Sequence, residues 1–461
     1  MLDAAILERF AETTPLTVMT RMALERALDP SWVDALFEEQ RERQYTRELL
    51  FSTVVELTSS VALGLQPSLH AAAQARRSLP VSLPALYGKL QRTEPGLMGG
   101  LVRGTFARLA PVAHALEPKA TGWVRGLRLR IVDGNHLPAS EKRLGPLRGF
   151  RGGALPGHCL VVYDPELDLV CDLVACEDAH TQERVVMQEV LERVKPGELW
   201  LADRNFSTSA ILFGIAERGG TFLIREHGRN PSPAELGPPK SVGRIETGKV
   251  STQSVECVDA QGRCLRMRRI VLQLEQPTDD GETTIRLLTN TTVRQLPACR
   301  AARIYRNRWR IEGMFQRLEA ALHSELRTLG APRAALLAFA VAVVAYNVLA
   351  LVQRAISAAH PPEQTGIELS FYFVANELRA HFAGMMVALP PHAWRTAKAD
   401  SPERLAHRLK ELARRVAPRT LRKHPREPKP KPRPGYVSAS AARRHVATAR
   451  VLAAGAVTST C

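Results

Sequence analysis

The segment 304–319 reads IYRNRWRIEGMFQRLE, and the interpretation of the whole chain depends on it. It has no proline and a single glycine, so it predicts one helix. Tyr305, Arg308 and Glu312 follow at i, i+3 and i+7 and therefore lie on one helix face. Two interpretations are open. The face is either a solvated, ion-paired surface, or a site in which Glu312 ligates a metal ion and Arg308 binds a phosphate.

Two upstream segments favour the second interpretation. Segments 127–136 and 198–206 are short apolar runs with strand character, and each leads into an aspartate, Asp133 or Asp203, followed by turn-like residues. The carboxyl end of a strand presents its side chains in the crevice beside a sheet, which is a common place for a metal ligand. Taken alone, Asp133 is better explained as a turn residue, because Asp-Gly sequences favour turns.

The region from 125 to 226 predicts the order β-β-β-α-β-α-β. The predicted strands are 126–133, 158–164, 169–175, 199–203 and 221–225, and the predicted helices are 181–194 and 208–218. Three consecutive strands, a helix and a strand that ends in Asp is the ribonuclease-H-like order. This order places the first and fourth strands side by side, so that Asp133 and Asp203 could share an ion. The region has no glycine-rich nucleotide motif.

The three acids together resemble the catalytic residues of the Asp-Asp-Glu transposases of the insertion-sequence 4 group. The pattern Tyr-x2-Arg-x3-Glu at 305–312 is the specific part, and the segments IVDGN (131–135) and LADRNFST (201–208) resemble the two Asp segments of that family. The resemblance covers approximately residues 120–355. The family pattern usually continues to a lysine, where this chain has Glu319. Arg317 lies about 160° away from that position around the helix.

The resemblance implies a DNA transposase that cleaves and transfers strands of an insertion element by cut-and-paste. Asp133, Asp203 and Glu312 would hold two Mg²⁺ ions, which Mn²⁺ can replace, because Mg²⁺ prefers oxygen ligands. Two such ions, about 3.5 to 4 Å apart, stabilise the attacking and leaving oxygens of a phosphodiester. Arg308 would hold a phosphate near the cleavage point, and Tyr305 would support Arg308 or the flanking strand.

The same resemblance implies double-stranded DNA as partner, both as element ends and as target, and a homodimer on that DNA. We expect a bacterial cytoplasmic protein associated with the nucleoid. Arg204 and Asn205, directly after Asp203, either contact DNA or cap the next helix. His136 could touch substrate, although a turn role explains it better. We expect Trp309 to pack in the core.

Charge and composition agree with a polyanionic partner. The net charge is +17, and both nucleic acid and an acidic membrane surface would suit it. The cysteines are odd in number, seven, and have no Cys-x2-Cys spacing, which indicates reduced thiols and neither a disulfide frame nor a zinc site. The N-terminus lacks the pattern of a signal peptide. The uncharged run 335–352 has membrane-spanning length but is rich in alanine, so we expect a buried core helix and no membrane contact.

The fold class is therefore α/β, with a ribonuclease-H-like catalytic core, a β-rich insertion, a helical N-terminal domain and a basic C-terminal tail. The expected regions are a helical domain with a possible role in binding DNA ends (1–120), the first part of the core (121–226), the β-rich insertion (227–299), the second part of the core with the Glu312 helix (300–400) and the basic, proline-rich tail (401–461). From 401 to 450, lysine and arginine outnumber acids by 15 to 3. This composition suits sequence-independent phosphate contact or a solubilising linker.

Two other functions stay open. One is a catalytically inactive, transposase-derived DNA-binding protein. Glu319, in place of the usual lysine, favours this function. The insertion also favours it: in the resembled family the insertion can carry a tryptophan that stacks on a flipped base, whereas residues 227–299 contain no tryptophan. The other is a ribonuclease-H-like nuclease without joining activity.

Overall fold

The computed structural model describes residues 2–76, 79–117, 122–228, 231–278, 281–394, 398–424 and 445–458. Within these residues the chain forms a mixed α/β fold around one long mixed sheet, so the predicted α/β class is confirmed.

The first described part of the chain is helical. Its helices are α1 (Leu2–Thr13), α2 (Pro15–Ala27), α3 (Pro30–Gln40), α4 (Phe51–Ala62), α5 (Leu69–Ala75), α6 (Leu83–Arg92) and α7 (Pro95–Leu116). Apolar residues recur at helical spacing from Leu16 to Leu36, but the helix is interrupted at residues 28 and 29. Pro30 begins α3, and the Asp29 side chain accepts a hydrogen bond from the backbone N–H of Ser31 at 2.9 Å, so a new helix starts there.

The central strands follow the predicted order closely. They are β1 (Arg128–His136), β2 (Gly153–Leu155), β3 (His158–Asp164), β4 (Leu169–Cys176), β5 (Glu198–Ala202) and β6 (Thr221–Arg225), with helices α8 (Glu183–Leu191) and α9 (Ser209–Glu217) between them. The predicted bounds of β3 and β6 are confirmed to the residue, and β2 was not predicted.

Strands β1 and β5 are parallel neighbours in the sheet order β4-β3-β1-β5-β6. Their parallel register ends at Ile131 opposite Leu201, so both aspartates lie just beyond it at the same sheet edge. The turn explanation of Asp133 and of His136 is wrong, because β1 continues through both residues. Antiparallel pairing with β3 keeps the strand extended as far as His136, which lies opposite His158.

The strands after residue 227 extend the central sheet. They are β7 (Ala234–Glu235), β8 (Lys240–Ile245), β9 (Gly248–Val258), β10 (Cys264–Leu274) and β11 (Thr284–Thr289). The order continues as β6-β11-β10-β9-β7, with β8 paired to β9, so these strands share one sheet with the core. The sequence Asp279-Asp280-Gly281 favours a turn between β10 and β11, and its first two residues lie outside the described residues.

The helices that follow cover the sheet. They are α10 (Ala298–Tyr305), α11 (Arg310–Ala321), α12 (Pro332–Ala359), α13 (Pro362–Thr365), α14 (Phe371–Ala388) and α15 (Pro402–Arg414). The prediction of one helix across 304–319 is wrong, because a 3-10 turn, Arg306–Trp309, separates α10 from α11. Helix α12 is long and apolar enough to cross a membrane, but its most apolar window is entirely buried, as expected of a core helix.

The last described residues form a separate two-stranded sheet with β2. Strand β12 (His445–Ala447) pairs in parallel with β2, and helix α16 (Thr448–Thr458) follows it. Arg450 of α16 forms an ion pair with Asp178 at 2.8 Å. The proline content of segment 425–434 favours an extended chain, and the segment lies outside the described residues. The described cysteines form no disulfide with one another.

Candidate active site

The two aspartates lie at the carboxyl edge of the sheet. Asp133 lies in β1, and its Oδ1 accepts a hydrogen bond from the N–H of Gly134 at 3.0 Å. Asp203 follows β5 and caps the 3-10 turn Arg204–Phe206, since its Oδ1 accepts from the N–H of Asn205 at 2.8 Å. In both residues one carboxylate oxygen is held by the local backbone, which orients the side chain.

The segment between α10 and α11 brings Arg308 to this edge. Its guanidinium donates to Asp133 Oδ2 at 3.2 Å and to Glu312 Oε1 at 3.1 Å. Tyr305 is buried at the end of α10, and its hydroxyl donates to the carbonyl of Ala202 at 3.2 Å. Since Ala202 precedes Asp203, this bond ties the helical segment to the loop that carries the second aspartate. The predicted Tyr-Arg-Glu face thus meets both aspartate strands.

Negative charge is concentrated at this edge. The pKa of Asp133 is raised to about 6, mainly by burial and also by the charges of Asp203 and Glu312, against the opposing effect of Arg308. Burial by itself lowers the pKa of Arg308, but the surrounding acidic groups outweigh it and the pKa of Arg308 is raised. Arg308 is therefore charged, and its guanidinium offsets part of an acidic cluster.

A fourth acid, Glu183, lies near this cluster and was not predicted from the sequence. It is the first residue of α8 and is half-buried. Its pKa is raised to about 7, mainly by burial and also by the charges of Asp133 and Asp203. An acid in the first turn of a helix is the ordinary response to the helix dipole, so the sequence holds no signal that singles out Glu183.

Residues 125–348 match the family model of the transposase DDE domain. The match includes β1, β5 and α11, and hence Asp133, Asp203 and Glu312. It supports a DDE transposase, and this domain is ribonuclease-H-like, in agreement with the strand order. A comparison with curated proteins gave no match. We refer to residues 125–348 as the DDE domain.

The donor set of the DDE domain suits a hard divalent cation. DDE transposases generally use divalent metal ions, and carboxylate oxygens are the ligands that Mg²⁺ prefers. No group of three or more His, Cys, Asp or Glu side chains among the described residues is arranged to hold a metal ion as it stands. Arg308 donates to Asp133 and Glu312 at once, so its guanidinium supplies the positive charge between these two carboxylates.

Arg204 and Asn205, predicted to contact DNA, lie at the rim of the site and are both exposed. Arg204 forms an ion pair with Glu282 at 3.2 Å. Neither side chain caps the next helix of the DDE domain. That role belongs to Thr208, whose hydroxyl accepts from the N–H of Ile211 at 3.4 Å.

Trp309 does not pack in the core, and that prediction is wrong. The side chain is 61% exposed, and the guanidinium of Arg308 lies 4.8 Å from its ring centroid. The regular helical rotation assumed for 304–319 does not apply, because Trp309 ends the 3-10 turn between the two helices. An exposed tryptophan therefore lies next to the site's arginine.

Arg317 anchors the helix that carries Glu312. Its guanidinium makes two hydrogen bonds to Asp168, both 2.7 Å long, and Asp168 also accepts from the hydroxyls of Tyr346, at 2.7 Å, and Tyr163. Asp168 has a φ of 57°, in the left-handed region that non-glycine residues seldom adopt. These bonds join α11 to the β3–β4 turn and to α12. Arg317 is thus engaged inside the protein, and Glu319 is exposed.

A groove of about 680 Å³ opens at the same edge of the DDE domain. Its walls include His136, His180, Glu183, Arg204, Asn205 and His227. His136 stacks on the buried His158 with ring centroids 5.1 Å apart. The groove is polar, lies beside Asp203 and is large enough for part of a nucleic-acid strand.

Proposed function

We propose that this protein is a DNA transposase of the insertion-sequence 4 group, which cuts an element from DNA and joins it elsewhere by metal-dependent phosphodiester chemistry. The observation that carries the proposal is the meeting of Asp133, Asp203 and Glu312 around Arg308 at one edge of the sheet, inside a DDE domain. The three acids come from segments far apart in sequence, so packing alone does not require their proximity.

In this proposal Asp133, Asp203 and Glu312 hold two Mg²⁺ ions, which Mn²⁺ can replace. Bound metal stabilises the charge that develops on the attacking and leaving oxygens. Metal binding would release Arg308 from the carboxylates, and its guanidinium fork is well shaped to pair with a non-bridging phosphate oxygen. Tyr305 keeps the Asp203 loop in place through the Ala202 carbonyl.

DNA would approach across the carboxyl edge of the sheet. Arg204 and Asn205 at the rim, and the groove beside them, would contact the strand next to the cleavage point. The net charge of +17 favours binding of double-stranded element ends and target in a salt-dependent way. A homodimer would bring two ends together, in the bacterial cytoplasm and on the nucleoid.

The remaining regions have assigned roles in the same proposal. Residues 1–120 would help to bind element ends. Residues 121–226 and 300–400 would form the catalytic core, and residues 227–299 would be its β-rich insertion. The basic region 401–461 would make sequence-independent phosphate contacts.

The test uses the purified full-length chain and DNA that contains the ends of the element. With Mg²⁺ or Mn²⁺, the protein should nick the end and yield joined strands. Asp133→Asn, Asp203→Asn and Glu312→Gln should each abolish both products and retain DNA binding. Glu319→Gln, an exposed change on the same helix α11, is the matched control and should retain both. Full activity in any of the three acid variants would reject the site.

The ion pairs of Arg308 with Asp133 and Glu312 favour one alternative, an inactive DNA-binding protein derived from a transposase. In such a protein Arg308 would keep Asp133 and Glu312 permanently engaged. DNA retardation without any metal-dependent product would support it. Products that are cut but never joined would instead indicate a ribonuclease-H-like nuclease.

A further inference from the structure

The carboxylate of Glu183 has no partner among the described residues. It accepts none of the hydrogen bonds and joins none of the ion pairs that connect them, although it is half-buried. The nearby arginines bond elsewhere: Arg184 donates to Gln182 at 2.6 Å, and Arg204 pairs with Glu282 at 3.2 Å. A half-buried carboxylate beside like charges is unfavourable in its charged form, and a bound cation would offset that cost.

Gly134 makes room for this carboxylate. A Cβ atom at position 134 would overlap with Oε1 of Glu183. The backbone itself does not require glycine here, since Gly134 pairs with Leu160 inside β1 and is not among the residues with positive φ. The missing side chain therefore lets the Glu183 carboxylate lie against β1 at the residue next to Asp133.

We propose that Glu183 is a fourth carboxylate ligand of the divalent metal site at Asp133, Asp203 and Glu312. The proposal rests on the proposed function, because it adds a ligand to that same site. A hard divalent cation such as Mg²⁺ or Mn²⁺ is the class of ligand, since all the donors are carboxylate oxygens. Helix α8 packs on the sheet face that carries Val132, whereas α11 packs on the opposite face with Ile131. Glu183 lines the groove and would ligate the cation from that side.

Direct titration of the DNA-free, full-length protein with Mn²⁺ tests this role without reference to activity. Glu183→Gln keeps the size of the side chain and removes its charge, and it should weaken Mn²⁺ binding by about tenfold or more, or remove one bound ion. Glu183→Asp keeps the charge with a shorter reach and should recover part of the loss. Glu189→Gln, exposed on the same helix, is the control and should bind as the wild type does.

A second pair of variants tests the space at Gly134. Gly134→Ala should displace the Glu183 carboxylate and weaken Mn²⁺ binding, but it should add little to the loss already caused by Glu183→Gln. Gly313→Ala is the control, because a Cβ atom at Gly313 meets nothing within 4 Å. Circular dichroism of each variant checks that the fold is intact.

The outcomes separate this inference from the proposed function. If Asp133→Asn weakens Mn²⁺ binding and Glu183→Gln leaves both the number of ions and their affinity unchanged, Glu183 is no ligand and the three-acid site stands. If the wild-type protein binds no Mn²⁺ and cuts no DNA, both proposals are overturned.

Discussion

The guanidinium of Arg308 lies 3.2 Å from Oδ2 of Asp133, a residue 175 positions earlier in the chain. This contact connects a central strand to the turn between two covering helices. It also places a positive charge where the proposed function requires a metal cation. Metal and Arg308 would therefore compete for the same carboxylates, and release of Arg308 would make it available to DNA only when metal is bound.

Competition of this kind predicts opposite effects of one substitution. Arg308→Gln should bind Mn²⁺ more tightly than the wild type, by about five- to tenfold, because no guanidinium opposes the ion. The same variant should cleave DNA about 100-fold more slowly, since it lacks the group that would bind the phosphate. Mn²⁺ titration and single-turnover cleavage measure the two effects.

Arg306→Gln is the control for this experiment, since Arg306 is exposed in the same 3-10 turn. It should change neither quantity by more than about twofold. Unchanged Mn²⁺ affinity in Arg308→Gln would show that the ion pair with Asp133 does not compete with metal.

The raised pKa of Asp133 predicts how stability depends on pH in the absence of divalent ions. Its carboxyl ionises near pH 4 in the unfolded chain and near pH 6 in the folded protein. The unfolded state therefore releases this proton first, and the residue's contribution to stability falls as pH rises from about 4 to about 6. Asp133→Asn carries no such charge, so its stability relative to the wild type should rise across this range, by on the order of 2 kcal/mol.

Urea unfolding at several pH values between 4 and 7.5 measures this difference. Glu319→Gln, which alters an exposed acid, is the control and should follow the wild-type profile. Parallel profiles for Asp133→Asn and the wild type would contradict the assignment of the shift to Asp133.

Local patterns of apolar and turn residues predicted the central strands reliably. Strands β3 and β6 have the predicted bounds because each is a short apolar run ended by turn residues, which is information carried by neighbouring positions. The joining of β7–β11 to the central sheet could not be read in this way. Pairing between β6 and β11 depends on residues about 60 positions apart, and no local pattern encodes such pairing.

In the candidate site, too, some residues could be predicted from local motifs and others could not. Asp133, Asp203 and Glu312 could be selected from their motifs, and their roles remain predictions. Glu183 could not, because only the three-dimensional structure brings the start of α8 onto Gly134. The predicted orientation of Trp309 was wrong for a different reason. The prediction assumed one continuous helix, whereas Trp309 lies in a 3-10 turn, in which side chains point in other directions than in an α-helix.

The bonds between Asp168 and Arg317 predict a structural role for residues outside the acidic cluster. Asp168→Ala would leave Arg317 and the hydroxyls of Tyr163 and Tyr346 without their shared acceptor. We expect a loss of about 2 to 3 kcal/mol in the free energy of unfolding, below the range for fully buried pairs, because both charged side chains are partly exposed.

Urea denaturation measures this loss, and a double-mutant cycle with Arg317→Ala isolates the pair. Asp3→Ala, at an exposed ion pair with His392, is the control and should cost well under 1 kcal/mol. A coupling energy near zero between Asp168 and Arg317 would rule out their role in anchoring α11.

The exposure of Trp309 predicts a contact with DNA. A large aromatic ring that is 61% exposed beside Arg308 contributes little to the core, so its substitution should hardly change stability. A base stacked on such a ring is worth about 1 to 3 kcal/mol. Trp309→Ala should therefore weaken binding to DNA ends by about 5- to 150-fold, whereas Trp309→Phe, which retains a ring, should lose much less. Fluorescence anisotropy measures the affinities, and equal loss in both variants would show that the ring does not stack on a base.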